Sequence, residues 1–103
     1  MPLFAIVGHD KADHLDKRLE TRKAHLDHLR SLGERLLVAG PILDGDGKPM
    51  GSIIVIEASS IEDAREFVAS DPYTGIDLFE WQHVHPWTPA LGEWVAPTTD
   101  EEE

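Results

Sequence analysis

The feature that most constrains the fold is a hairpin signal in the middle of the chain. Residues 44–49, Asp-Gly-Asp-Gly-Lys-Pro, form the most turn-prone segment of the sequence. They separate two apolar runs, 35–43 and 51–58, each of which is typical of a strand. The turn therefore predicts two neighbouring antiparallel strands, and the rest of the chain must be arranged around them.

A strand and a helix are predicted before this hairpin. Residues 3–7 are a short apolar run, which indicates a buried strand. A helix over 13–32 is then expected from leucines that recur at helical spacing, namely Leu15, Leu19, Leu26, Leu29 and Leu32. Asp13 is the candidate N-cap, and Gly33 suits the position just past the helix end.

A second helix and a last strand follow the hairpin. Ser60 and Asp63 resemble a capping box at the start of this helix, and Pro72 cannot continue it. The last strand is expected from Leu78 to Val84, with an extension towards residue 87. Strict alternation puts Phe79 and Trp81 on one side of this strand and Leu78 and Val84 on the other.

The resulting order, β-α-β-β-α-β, predicts an α+β, ferredoxin-like fold. Such a fold has a four-stranded antiparallel sheet with two helices on one face. Its other face would be uncovered, and residues 53–56, Ile-Ile-Val-Ile, are apolar on both sides of the third strand. Because an exposed apolar face needs a cover, we expect a homodimer formed through the sheet face.

Composition and charge narrow the class of protein further. The 103 residues suit one domain, expected over 1–90, with a C-terminal extension over 91–103 that ends in the acidic residues 100–103. Residues 1–35 carry a net charge of +1, whereas 36–103 carry −12. This balance argues against binding to nucleic acid or an anionic membrane. Without cysteine, a signal-peptide pattern or a membrane-length apolar run, a cytoplasmic location is the expectation.

Four polar residues are candidates for a functional site. On a helical wheel Arg18, Arg22 and His25 flank the leucine stripe, so they can line a cleft between helix and sheet. Histidine moves protons near neutral pH, and a guanidinium can hold an anionic or phenolic oxygen. Asp71 could orient His25, with Tyr73 beside it; Asp71 could equally be a turn residue bonded to its own backbone. A packed, purely structural His25 is the alternative to catalysis.

Other chemistries have weaker support in the sequence. His83 and His85 would share a strand face, and His25 and His28 lie three apart on a helix, but no third ligand is evident. We therefore predict no metal site. Glycine-rich phosphate loops and a nucleophile elbow are absent from the sequence, so no cofactor is expected either.

Four fragments together resemble the YCII-related (YciI-like) family over residues 2–88. They are Arg22-Lys-Ala-His25-Leu26, Leu36-Leu-Val-Ala39-Gly40-Pro41, Ser60-Ile-Glu-Asp-Ala64 and Ser70-Asp71-Pro72-Tyr73. The resemblance implies a dimeric α–β barrel type of ferredoxin-like fold. It also implies a His/Asp pair in a pocket, which falls on His25 and Asp71.

One activity of that family is a lyase-like elimination of chloride from a hydroxylated aromatic. The resemblance and the residues together predict a small-molecule enzyme without a cofactor, of elimination or isomerisation type. His25 would act as acid or base, Asp71 as its partner, and Arg22 and Tyr73 would bind substrate. The alternatives are a non-catalytic small-ligand binding module and a structural dimerisation module. A cofactor-free oxygenase is a further alternative by fold analogy alone.

Overall fold

The computed structural model describes residues 1–95. It contains four strands and three α-helices, with a single 3₁₀ turn at Gly33–Arg35 between the first helix and the second strand. In chain order the elements are β1 (Leu3–Asp10), α1 (Leu15–Arg30), β2 (Leu36–Leu43), β3 (Pro49–Glu57), α2 (Ile61–Ala69), α3 (Pro72–Gly75) and β4 (Phe79–Pro86).

The strands form one antiparallel sheet in the order β2-β3-β1-β4. The predicted hairpin is confirmed, since β2 and β3 pair directly across the turn. Asp44 holds this turn, because its side-chain Oδ1 accepts hydrogen bonds from the backbone N–H groups of Asp46 and Lys48 at 2.8 and 3.0 Å. The sheet and its helices confirm the predicted ferredoxin-like α+β fold.

The core lies between the helices and one face of the sheet. Alternate residues of β1 and β3 point into it and meet the apolar stripe of α1 and the start of α2; the buried cluster comprises Phe4, Ile6, Leu29, Leu32, Ile54, Ile56, Ala58 and Ala64. The predicted cap of α2 is confirmed, because the Ser60 hydroxyl accepts from the Asp63 N–H at 3.1 Å. These contacts hold α1 over the sheet. The polar residues that flank its leucine stripe, Arg22 and His25 among them, therefore lie at an edge of the core.

The start and end of α1 differ from the prediction. The helix spans Leu15–Arg30 rather than 13–32, and its N-cap is His14, whose side chain makes no capping hydrogen bond. Asp13 has φ of 59°, in the left-handed region, so it belongs to the preceding turn and cannot cap. Gly33 also has a positive φ, 59°, but it lies three residues past the helix and begins the 3₁₀ turn.

The predicted faces of β4 are wrong at its start because β4 contains an irregularity. Asp10 pairs with Phe79 while His9 pairs with Trp81, so one residue of β4 has no counterpart in β1. This bulge reverses the alternation. Phe79 therefore lies on the helix side, where its ring contacts Tyr73 edge-on with centroids 6.2 Å apart. Trp81 faces the opposite side and stacks on His9 at 4.5 Å.

The sheet face opposite the helices is apolar and partly exposed. Ile53 is 48% exposed and Val38 43% exposed, and a groove of about 870 Å³ separates this face from residues 87–95. The acidic residues 100–103 lie outside the described residues, and the predicted domain boundary near residue 90 stays a prediction. In the described part of the chain, the helices are too short or too polar to cross a bilayer.

Candidate active site

His25 and Asp71 meet in the structure although 46 positions separate them in the sequence. His25 Nδ1 lies 2.9 Å from Asp71 Oδ1 and 2.8 Å from Oδ2, and both side chains are buried. An ionised carboxylate only accepts hydrogen bonds, so Nδ1 carries the proton in this contact. In the neutral imidazole the lone pair then lies on Nε2, the nitrogen a proton acceptor would use.

Asp71 is held in place by the backbone around it. It has an extended conformation (φ −67°, ψ 130°), as expected for a residue before proline, and it is the N-cap of α3. Its Oδ1 also accepts a hydrogen bond from the Tyr73 N–H at 2.9 Å. The two interpretations of Asp71 given by the sequence therefore occur together: it bonds a nearby backbone amide and it contacts His25.

Tyr73 forms a wall beside this pair. Its ring stacks on the His25 imidazole with centroids 3.9 Å apart and planes 14° from parallel, and the side chain is almost wholly buried. Burial raises the pKa of the Tyr73 phenol above its ordinary value of 10.0, and the charge of Asp71 adds to this effect. The guanidinium groups of Arg18 and Arg22 oppose the rise in pKa.

Arg18 is the site residue that the sequence did not identify as functional. It is 4% exposed and donates from Nε and Nη2 to the two oxygens of Asp10, at 2.6 and 2.8 Å. Its Nη2 also donates to Ser52 Oγ at 3.0 Å, and Cζ lies 4.6 Å from the Tyr73 ring centroid. Helical spacing put Arg18 beside the leucine stripe, but its partners lie on distant strands and give no local signal.

A cavity of about 120 Å³ opens beside these residues. Arg22, His25 and Tyr73 line it together with apolar side chains of α1 and the sheet, and the remaining lining residues are Arg18, Leu19, Leu26, Leu29, Ala39, Gly40, Pro41, Pro49, Ser52 and Ile54. Arg22 is exposed and forms no ion pair with another described residue. It thus leaves a free guanidinium at the cavity.

Nε2 of His25 has no hydrogen-bond partner among residues 1–95. Every fully buried side-chain nitrogen or oxygen in that range has a partner, so Nε2 keeps some accessible surface. The side chain of His25 lines the cavity, which is where such a surface can meet a ligand. A small molecule there would meet a proton acceptor, a cation and an aromatic wall.

The remaining histidines do not join this site. His28 Nε2 donates to the Phe67 carbonyl at 2.8 Å, which separates it from the His25 imidazole. His83 and His85 are neighbours, with ring centroids 5.9 Å apart, and they share the sheet face of Trp81, away from the cavity. Within residues 1–95, no three His, Asp or Glu side chains are grouped so that they could hold a metal ion.

Fold and site together define a class: ferredoxin-like α+β proteins with a buried His–Asp pair beside a small cavity on the helix side of the sheet. The chain belongs to the YCII-related domain family, whose profile matches residues 2–88. A curated relative, protein YciI of Escherichia coli O6:H1, is 38% identical over 93 residues, which cover 82% of this chain and 95% of the relative.

Two solved structures extend the comparison. The 5-chloro-2-hydroxyhydroquinone dehydrochlorinase TftG of Burkholderia phenoliruptrix AC1100, solved in complex with 2,5-dihydroxybenzoquinone, is 33% identical with a TM-score of 0.79. The match covers 84% of this chain and 93% of TftG. An antibiotic biosynthesis monooxygenase is 13% identical with a TM-score of 0.55, and the match covers 86% of this chain and 98% of the monooxygenase chain. At this level of identity the similarity concerns only the fold, which is of the dimeric α–β barrel type.

Proposed function

We propose that this protein is a small-molecule enzyme in which His25 transfers protons without a cofactor. Asp71 orients the imidazole, Arg22 holds an anionic oxygen of the substrate, and Tyr73 forms the wall against which the substrate packs. The observation that carries the proposal is the difference between the two imidazole nitrogens of a side chain that lines the cavity: Nδ1 contacts a buried carboxylate, while Nε2 has no partner among the described residues and is not fully buried. This arrangement is what a general base requires.

The chemistry follows from the positions of these groups. Nε2 takes a proton from a substrate hydroxyl, and the electron pair of that O–H bond moves into the ring system. In an isomerisation, protonated His25 returns the proton to a ring carbon, which gives a keto tautomer. In an elimination, that carbon is the one that carries the leaving group; loss of a proton from a second hydroxyl then forms a second C=O bond, and the leaving group departs as an anion with the electron pair of its bond to carbon. In both cases negative charge develops on the substrate oxygen, and the guanidinium of Arg22 stabilises it.

Size and polarity favour a single hydroxylated aromatic ring as the substrate. A cavity of about 150 Å³ holds one benzene molecule, and the cavity here is of similar size, about 120 Å³. Its walls combine apolar side chains with the Arg22 guanidinium, which suits a planar ring with an acidic hydroxyl. The similarity to TftG, a dehydrochlorinase of a chlorinated hydroxyhydroquinone, supports this substrate class.

Turnover of a small panel of ring compounds tests the proposal. Chlorinated and unchlorinated hydroxyhydroquinones are incubated with the parent protein and with His25→Gln, and chloride release and ultraviolet spectra are followed. We expect turnover by the parent and a loss of at least about 100-fold in the variant, the usual contribution of general acid–base catalysis. Equal rates for the parent, the variant and buffer would refute it.

A structural role for the pair is the second candidate, because Asp71 both caps α3 and bonds His25. Under this alternative, the parent neither binds nor turns over a ring compound, and the only effect of His25→Gln is a lower melting temperature. Under the proposed function, the variant stays folded and loses turnover or ligand binding. If His25→Gln stays folded and the parent binds a ring compound without turning it over, the protein is the non-catalytic binding module.

We also propose a homodimer through the open sheet face. Ile53 and Val38 are partly exposed on that face, so a second copy would cover an apolar surface that water contacts in the monomer. Analytical ultracentrifugation of the parent, Ile53→Lys and the control Leu19→Lys tests this. Leu19 is 52% exposed on α1, close to the 48% of Ile53. We expect only Ile53→Lys to be monomeric; a monomeric parent would overturn the proposal.

A further inference from the structure

Arg18 is a buried cation that the proposed chemistry does not use. It is more deeply buried than the exposed Arg22, and all of its polar contacts are with the protein: Asp10 at the end of β1 and Ser52 in β3. Burying a charge is costly unless it is paired and hydrogen-bonded, and these contacts meet that condition. They leave the plane of the guanidinium beside the Tyr73 ring.

Tyr73 lies between Arg18 and His25. The two residues are seven positions apart on α1, which corresponds to about 10.5 Å along the helix axis. The Tyr73 ring centroid is 4.6 Å from Arg18 Cζ and 3.9 Å from the His25 ring centroid. An imidazole stacked nearly parallel at 3.9 Å leaves no room for a guanidinium over the same face, so the two groups contact opposite faces of the phenol ring.

We propose that Arg18 is a positioning residue for the His25–Asp71 pair and that it acts through the Tyr73 ring. Asp10 and Ser52 fix the guanidinium from two strands, and the guanidinium in turn holds one face of the ring by a cation–π contact. The other face of the ring holds the imidazole parallel to it. The sheet thereby determines where His25 Nε2 points, although His25 itself belongs to the helix.

This arrangement depends on the planar fork of arginine. The fork lets Nε and Nη2 bind both oxygens of Asp10 while the flat guanidinium stays available to the ring. A lysine would keep the charge near Asp10 but could not make both contacts in this geometry. Loss of the fork should therefore loosen Tyr73, and through it His25, even where the protein remains folded.

The test compares Arg18→Lys, Arg18→Met combined with Asp10→Asn, and the control Arg30→Met, a surface residue of the same helix. The double variant avoids leaving Asp10 buried without a partner. Three measurements are made on each: circular dichroism for folding, nuclear Overhauser contacts between the His25 and Tyr73 rings, and ultraviolet titration of tyrosinate. The titration reports Tyr73 alone, since the chain has a single tyrosine.

The proposal predicts that both Arg18 variants fold but lose much of the ring-to-ring contact intensity, whereas the control keeps it. Loss of Arg18 removes a charge that opposes the rise in the Tyr73 pKa, and a loosened ring would lose part of the burial that causes this rise, so the tyrosinate titration of the double variant should differ from that of the parent. Folded variants with parental ring contacts and an unchanged titration would overturn the proposal. So would a failure of both Arg18 variants to fold, which would make Arg18 a purely structural residue.

This inference rests on the proposed role of His25, and a fourth measurement separates the two. Affinity for 2,5-dihydroxybenzoquinone is measured by its visible absorbance, and a loss of about tenfold is expected in the Arg18 variants, since a displaced His25 gives up one good polar contact. If the parent does not bind this probe, the choice of probe and the proposed function are in question. The ring contacts and the tyrosine titration then still decide whether Arg18 positions His25.

Discussion

Replacement of Asp71 by alanine removes two contacts of one buried side chain. The carboxylate accepts from His25 Nδ1 at 2.8–2.9 Å and from the Tyr73 N–H at 2.9 Å, and it is 3% exposed. Alanine leaves the Nδ1–H of His25 buried without a partner and leaves α3 without its cap. The structure therefore predicts a large loss of stability from a change that removes few atoms.

The expected size of that loss follows from the two contacts. A hydrogen bond to a charged group contributes about 1.5–3 kcal/mol, and an N-cap contributes about 1 kcal/mol. We expect Asp71→Ala to lower the free energy of unfolding by about 3 kcal/mol, or the melting temperature by at least about 12 °C in a domain of this size. Asp71→Asn keeps an acceptor oxygen and should cost about 1 kcal/mol.

Urea unfolding followed by circular dichroism measures these losses at one fixed protein concentration, since self-association would change apparent stability. Asp27→Ala is the matched control, because Asp27 lies in the same helix as His25 but pairs only at the surface with Lys23 and Arg30. Its unfolding midpoint should stay close to that of the parent. A loss below about 1 kcal/mol in Asp71→Ala would refute the reasoning that the pair is buried and mutually dependent.

Three further predictions concern other parts of the site and sheet. Arg22→Met should weaken binding of 2,5-dihydroxybenzoquinone at least about tenfold, measured by absorbance, with an unchanged melting temperature because Arg22 is exposed. Ultraviolet titration should show the Tyr73 phenol ionising above pH 10 in the folded protein and near pH 10 in urea. Because the pKa is higher in the folded state than in the unfolded state, the contribution of Tyr73 to the free energy of unfolding is complete below pH 10. It is lost as the pH rises through the pKa of the folded state. Gly51→Ala should lower the free energy of unfolding, measured in urea, by about 2 kcal/mol, because a Cβ there would collide with the Gly8 carbonyl oxygen. Gly40→Ala is the control and should lower it far less, because the space around Gly40 is open.

The fold was predictable because its signals are local. The turn over 44–49, the Ser60 cap and the apolar spacing of each element are read from short stretches of sequence, and the structure has all of them. The error at Asp13 has a physical cause: a residue in the left-handed region cannot supply the capping geometry that its side chain suggests. The bulge in β4 arises from pairing with β1, so strict alternation along β4 alone could not reveal it.

The site was less predictable because its contacts are between distant segments. Spacing could place Arg22 and His25 at the edge of the leucine stripe, but it left the meeting of His25 with Asp71 as one of two interpretations, and only the family resemblance favoured it. Spacing placed Arg18 at the same edge but did not predict its burial, since that depends on Asp10 and Ser52 from two other elements. A buried arginine is recognised only when the strands that pair with it are known.

The most direct test of a proton-transferring His25 is NMR of histidine-labelled protein during titration with 2,5-dihydroxybenzoquinone. In the free protein, we expect the neutral His25 imidazole to carry its proton on Nδ1 and none on Nε2. Saturating probe should shift the Nε2 resonance of His25, and His25→Gln should bind the probe at least about tenfold more weakly. A His25 protonated on Nε2 alone, or probe binding that neither shifts its resonances nor depends on its imidazole, would contradict the account.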